Sequence, residues 1–243
     1  MRRRIGKGRH TLNRLRVTFW TRLKQAALTV YGLSIRVKVV SRVGLPLCRG
    51  FIVTANHLNG ADSVVLQIAL RTRLFFAASA RWFRTGLSRF VMWHICDAVP
   101  VQNDDPLSST PGLRHCLTVL RSGASIGIYP EGAYNRGGPL ECIRDGAAYL
   151  AVRTGTPILP VYIRNLRYER RVDDSTQPRE CWTGFLSVAD NLFNTRIELL
   201  VGEPVEPERV LPGTAAEFRT EVERVNDRLL AEYRRIVFGN RPA

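Results

Sequence analysis

Between residues 51 and 163, short apolar runs alternate with stretches of helical periodicity at a spacing that few architectures accommodate. The runs are "FIVTA" (51–55), "LFFAA" (74–78), "AVPV" (98–101), "SIGIY" (125–129) and "PILPVYI" (157–163). Helical patterns lie between them at about Asp62 to Leu70, Arg81 to Trp93, "LRHCLTVLRS" (113–122) and Ile143 to Arg153. Strands separated by a helix return in the same direction, because the helix carries the chain back along one face of the sheet. The expectation is an α/β fold: a single domain with a mixed, largely parallel sheet flanked by helices. Ligands of such sheets bind in the loops at the carboxyl ends of the strands.

After residue 163 the pattern changes. "RNLRYERRVDDSTQPRE" is a polar excursion of seventeen residues, longer than an ordinary connection. "GFLSVAD" (184–190) and "RIELLVGEPV" (196–205) then read as two more strands, and "AAEFRTEVERVNDRLLAEYRRIV" (215–237) as an amphipathic helix.

Charge divides the chain differently. Thirteen basic residues and no acidic one precede Asp62, whereas residues 62–243 carry 23 Lys and Arg against 21 Asp and Glu. The net charge of +15 therefore belongs mostly to an N-terminal segment. Within it Leu12, Leu15, Phe19, Leu23, Ala26, Ala27 and Val30 recur at helical spacing, with Trp20 and Tyr31 at one edge. An Arg-rich amphipathic helix with aromatic residues at its boundary suits an anionic membrane surface. The bland alternative is a first helix packed on the domain with a solvated basic face. Residues 1–45 are thus expected to form a basic amphipathic membrane-associating segment and 46–243 the α/β domain. No run of eighteen apolar residues occurs to span a bilayer, and the basic start lacks the continuous apolar stretch of a secretory signal. No nucleic acid partner is expected, since the body shows no basic stripe with interleaved aromatics. Five widely spaced cysteines without a CxxC argue against a disulfide framework or a zinc site.

The candidate chemistry begins in "TANHLNGAD" (54–62), where His57 follows a strand and Asp62 precedes a helix. Five residues on a continuous helix are about 140° apart, so the pair converges only if a loop brings it together. Once converged, Asp62 accepts from one imidazole N–H and leaves the other nitrogen as a base. The competing reading makes Asp62 a helix cap and His57 an ordinary loop residue. A second constellation, "IYPEGAYNRGGPL" (128–140), places Glu131, Gly132 and Arg136 in a loop after another strand. Glycines admit close backbone approach, a carboxylate binds a hydroxyl, and an arginine binds a phosphate.

In this order, His57 and Asp62, "AVPV", "YPEG" (129–132) and "PILPVYI" resemble the glycerolipid acyltransferases, the family that includes the 1-acylglycerol-3-phosphate acyltransferases. The family pattern runs H-x4-D, an apolar-Pro-apolar strand followed by an Arg, F-P-E-G-T-R, and an apolar strand with Pro. The resemblance implies His57 as general base and Asp62 as its orienting partner. It implies Glu131, Gly132 and Arg136 as substrate-binding residues, an acyl thioester (acyl-CoA or acyl-carrier protein) as donor and a lysophospholipid as acceptor. It implies no cofactor and no metal, because a thioester is already activated. A peripheral location on the cytoplasmic face of a membrane completes the expectation. Two family positions differ. "QNDD" follows the "VPV" strand, with Asn103 nearest the expected arginine, and Ala133 and Tyr134 stand where the family has T-R, leaving Arg136 as the substitute. In the family those arginines contact the acceptor's phosphate.

Alternatives are an acyltransferase acting on another lysolipid or a glycolipid, and a noncatalytic membrane-binding protein. A hydrolase is suggested by "GASIG" (123–127), but Ser125 begins a strand, whereas a nucleophile elbow lies between a strand and a helix. His94 and His115 fall within helical patterns and read as structural.

Overall fold

The computed structural model describes residues 21–41, 50–94, 96–101, 111–132, 140, 142–167, 186–208 and 214–239. Each apolar run becomes a strand: β2 (Ile52–Ala55), β3 (Leu74–Ser79), β4 (Ala98–Val101), β5 (Ser125–Ile128) and β6 (Ile158–Arg164). The helices between them are α2 (Asp62–Leu70), α3 (Gly86–His94), α4 (Pro111–Arg121) and α5 (Gly146–Thr154), with a 3₁₀ turn at Ala80–Phe83 before α3. Strand β7 (Ile197–Val201) and the long helix α7 (Ala215–Phe238) follow. Thr214 and Glu217 start α7 with a reciprocal capping box.

The seven strands form one sheet in the order β1-β7-β6-β2-β5-β3-β4, where β1 is Val37–Ser41. All pairings are parallel except β6 with β7. The sheet is therefore mixed and largely parallel. β2 lies at its centre and is buried throughout, with alternate side chains serving two cores. Val53 and Ala55 pack toward a helix at residues 21–34, here α1, and toward α2, while Ile52 packs toward α4, α5 and α7. This period-two division makes one strand the floor of both layers.

Two stretches differ from expectation. The pattern of "GFLSVAD" predicts a strand, yet residues 186–190 form a short helix, α6. A brief apolar run does not distinguish a strand from a helical turn. Here the Asn191 side chain donates to the Ser187 carbonyl at 2.8 Å, and Val188 packs against the core that contains Tyr31. Strand β1 lies inside the N-terminal segment assigned to residues 1–45, where it pairs with β7 from Val37 to Ser41. Tyr31 and Ile35 are also buried in the first core, so residues 31–41 belong to the domain structurally. The alternating branched residues of "VKVV" supply the β preference that the charge of the segment obscured.

Helix α1 is two-faced. Lys24, Leu28 and Tyr31, at i, i+4 and i+7, face the domain, and the Tyr31 hydroxyl donates to the Val188 carbonyl at 2.9 Å. Leu23, Ala26, Val30 and Leu33 face outward, with Val30 68% and Leu33 83% exposed. The earlier half of the expected amphipathic helix, including Leu12, Leu15, Phe19 and Trp20, lies outside the described residues. No helix among the described residues is long and apolar enough to cross a membrane.

Candidate active site

Parallel strands β2 and β5 are hydrogen-bonded neighbours with Thr54 opposite Ile128, so the loops that follow leave the sheet side by side. The β2 loop is anchored first. Asn56 is fully buried, and its amide donates to the Ile163 carbonyl and accepts from the Ile163 N–H at 3.1 and 2.7 Å. That two-way bond extends the sheet by one side chain and fixes the backbone immediately before His57.

His57 and Asp62 converge. Nδ1 of His57 lies 2.7 Å from Oδ2 of Asp62, and the Asp62 side chain is 0% exposed. The same oxygen accepts the backbone N–H groups of Leu58 and Asn59 at 2.7 and 3.0 Å. Asp62 thus caps the loop behind it and not the helix ahead of it: the cap position of α2 is Ala61, with no side-chain cap bond. This geometry decides against the simple helix-cap reading. Burial raises the carboxyl above its ordinary value, opposed by the His57 hydrogen bond and charge and by the two backbone donors. In the tautomer that donates Nδ1–H to Asp62, the lone pair sits on Nε2.

The β5 loop supplies the imidazole with a platform. The Tyr129 ring stacks on His57 with centroids 3.9 Å apart and planes within 9°, and Phe76 of β3 lies 5.9 Å beyond Tyr129 at 12°. Phe76 needs a glycine beneath it. It is paired in register with Gly127, and a Cβ at that position would lie 2.3 Å from its ring. Glu131 follows two residues after Tyr129, and its charge reaches Tyr162 of β6 and Tyr233 of α7. Burial raises the hydroxyls of both tyrosines, and Glu131 raises them further.

Gly132 turns the chain at φ +70°, and a Cβ there would lie 2.6 Å from Nε of Arg144. Arg144 returns to this turn by donating its backbone N–H to the Pro130 carbonyl at 2.8 Å. Of the expected substrate-binding residues, Glu131 and Gly132 thus sit beside the β5 end, while Arg136 lies outside the described residues, as does Asn103. Sequence reasoning missed Arg144 and gave Tyr129 no role. The aromatic letter before "PEG" was the available signal for Tyr129; Arg144 had none, because its place depends on how the loop closes.

An apolar cavity of about 590 Å³ opens at His57. His57 and Tyr129 line one part of it, Leu23, Ala27 and Tyr31 of α1 another, and Trp82, Val91 and Met92 the side toward α3. Its size is that of a pocket for a small organic ligand. His94, in the last turn of α3, also lines it, so this residue borders the site. Ser125 is buried at the start of β5, where its Oγ accepts the Phe51 N–H at 3.2 Å. That is a structural position.

The wall formed by α1 is held by an ion cluster around the buried Asp97. Asp97 accepts from Lys24 Nζ at 2.5 Å and from Arg73 Nε and Nη2 at 3.0 and 2.7 Å. Burial pushes the Asp97 carboxyl up, but the bonds and charges of Arg73 and Lys24 together outweigh it and hold the group below its ordinary value.

A family model described as Acyltransferase matches residues 36–164, just over half of the chain. The 1-acyl-sn-glycerol-3-phosphate acyltransferase of Borreliella burgdorferi is 26% identical over 138 residues, 57% of this chain and 55% of that protein. A chloroplastic 1-acyl-sn-glycerol-3-phosphate acyltransferase of Brassica napus, BAT2, is 35% identical over 63 residues, 26% of this chain and 18% of that protein. The chain therefore spans about half the length of the first of these relatives and less of the second. The crystal structure of PlsC, the 1-acyl-sn-glycerophosphate acyltransferase of Thermotoga maritima, superimposes with a TM-score of 0.54. It covers 97% of this chain and 84% of that one at 24% identity, a likeness of fold.

Proposed function

The chain belongs to the Acyltransferase family, and from that premise we propose that it transfers a fatty acyl group from an acyl thioester to a hydroxyl of a lysophospholipid, 1-acyl-sn-glycerol-3-phosphate first among them. One observation carries the reading: a histidine oriented by a fully buried aspartate opens onto an apolar cavity of about 590 Å³.

In this mechanism Nε2 of His57 removes the proton from the acceptor hydroxyl as its oxygen attacks the thioester carbonyl. The imidazolium that forms is stabilised by Asp62 at its edge and by the Tyr129 ring on its face. The tetrahedral intermediate collapses with cleavage of the C–S bond, and the leaving thiolate takes the proton back from His57. Acyl-CoA and acyl-carrier protein serve this chemistry equally, and the transfer requires neither an enzyme nucleophile nor a metal. The apolar cavity takes the hydrocarbon chain. Glu131, Gly132 and Arg136 hold the acceptor, and Arg144, packed against Gly132, adds a guanidinium on the same side. The exposed apolar face of α1 rests on the cytoplasmic face of an anionic membrane.

The test is a labelled acyl thioester offered to a panel of lysophospholipids and glycolipids. Preferred transfer to 1-acyl-sn-glycerol-3-phosphate is expected. Preferred transfer to a glycolipid would move the chain to the alternative acceptor class, and no transfer to any acceptor would leave only a membrane-binding role.

A further inference from the structure

Helix α1 separates two cavities of opposite character. On one flank lies the apolar cavity at His57. On the other, between α1, β1 and the end of α2, lies a second cavity of about 600 Å³ lined by Lys24, Arg36, Arg71 and Arg73 with a single acid, Asp97. Four cations against one carboxylate leave an excess of three positive charges. Asp97 is engaged by Lys24 and Arg73. The guanidinium groups of Arg36 and Arg71 make no hydrogen bond or ion pair among the described residues.

Like charges gathered in one cavity repel until an anion enters, and the planar fork of arginine matches the oxygens of a phosphate. The outer side of α1, between the two cavity mouths, carries the exposed Leu23, Ala26, Val30 and Leu33. A basic cavity beside an apolar ridge is complementary to a molecule with a phosphate at one end and hydrocarbon at the other. A free phosphate or nucleotide would leave the ridge unused.

We propose that the cavity lined by Arg36 and Arg71 binds the phosphate of an anionic phospholipid whose acyl chains lie along the α1 ridge. This rests on the reading of the chain as a lipid enzyme and adds a lipid site separate from the catalytic cavity. Bound there, the lipid holds α1 against the bilayer with the His57 cavity opening beside it. The buried Asp97 cluster keeps the helix in place between the two.

Flotation of the full chain on vesicles of phosphatidylcholine, with and without phosphatidylglycerol, tests the site. The wild type should partition more strongly onto the anionic vesicles. Arg36→Ala/Arg71→Ala should lower that partitioning roughly 30-fold, at about fivefold for each basic residue near an anionic surface. Arg114→Ala/Arg121→Ala, on α4 across the sheet, should keep it. Equal partitioning of wild type and the Arg36/Arg71 variant overturns the proposal, as does an equal loss in the α4 variant. Displacement of the wild type from anionic vesicles by soluble glycerol 3-phosphate at constant ionic strength would identify a free-phosphate site and overturn the assignment to lipid. Circular dichroism and thermal melting confirm that each variant is folded. Acyl transfer to acceptor in detergent micelles, measured on the same preparations, tests the enzymatic reading separately: lost transfer with flotation intact would remove that reading and leave the lipid site standing.

Discussion

Asp62 and Asp97 are both buried carboxylates, yet their surroundings set them in opposite ways. Asp62, 0% exposed, is held by a histidine and two backbone N–H groups, and burial raises its carboxyl. Asp97, 7% exposed, is clamped by a lysine and an arginine that hold it below its ordinary value. The lesson is that burial alone assigns no role. Asp97 fastens elements distant in sequence, whereas Asp62 orients one ring and is placed to respond when that ring becomes charged.

The largest effect expected from breaking this contrast is on rate. Asp62→Asn should lower kcat by a factor on the order of 10³ to 10⁴, because the imidazole loses the partner that fixes its tautomer. Stability should change by about 1 kcal/mol or less, since the amide oxygen still accepts a backbone N–H. Steady-state kinetics together with urea unfolding will separate the two. A variant that unfolds more readily but works normally would make Asp62 a structural residue.

Asp97→Asn should behave in the reverse sense. Removing the carboxylate leaves Lys24 and Arg73 without their counter-charge and should cost about 3 kcal/mol, at the low end for a buried pair because Arg73 is partly open to water. Activity per folded molecule should fall less than tenfold. A collapse of kcat with unchanged stability would place Asp97 in the chemistry.

Tyr129→Leu should lower kcat about tenfold by removing the ring that faces the imidazolium, while Tyr129→Phe should stay close to wild type. Equal rates in both variants would reduce the stack to packing.

The smallest effect is in the pH dependence of stability, where the two aspartates should differ in sign. Asp97 favours its ionised form in the folded chain. Its contribution is full above the unfolded value of about 4 and is lost as pH falls through the folded value. Asp62 keeps its proton in the folded chain where the unfolded chain has released it, so its contribution declines as pH rises above about 4 toward the folded value. Urea unfolding across pH should therefore show the deficit of Asp97→Asn shrinking on acidification. The balance between Asp62→Asn and wild type should shift toward the variant as pH rises above about 4. Slopes of the same sign would contradict the contrast.

Local patterns made much of this legible. The alternation from "FIVTA" to "PILPVYI" located five strands because each run is bounded by turns and followed by a helical period. The position of "TANHLNGAD" after the first of them indicated where His57 and Asp62 would lie. What failed did so for nameable reasons. "GFLSVAD" carried too few residues to fix a period, and β1 lay within a segment whose charge suggested a separate role. The stack of Tyr129 on His57 depends on the pairing of β2 with β5, and the Lys24–Asp97 bond joins residues 73 apart. Neither is written in any short window of sequence.

The central claim is that His57 is the base of an acyl transfer, and a single-turnover comparison of wild type with His57→Ala tests it most directly. With a labelled acyl thioester and 1-acyl-sn-glycerol-3-phosphate, the wild type should form the diacyl product. The variant, matched to it in circular dichroism and melting temperature, should form product at least a thousandfold more slowly, on the order of the loss of an essential base. Product formation at the wild-type rate by a folded His57→Ala protein would contradict the account.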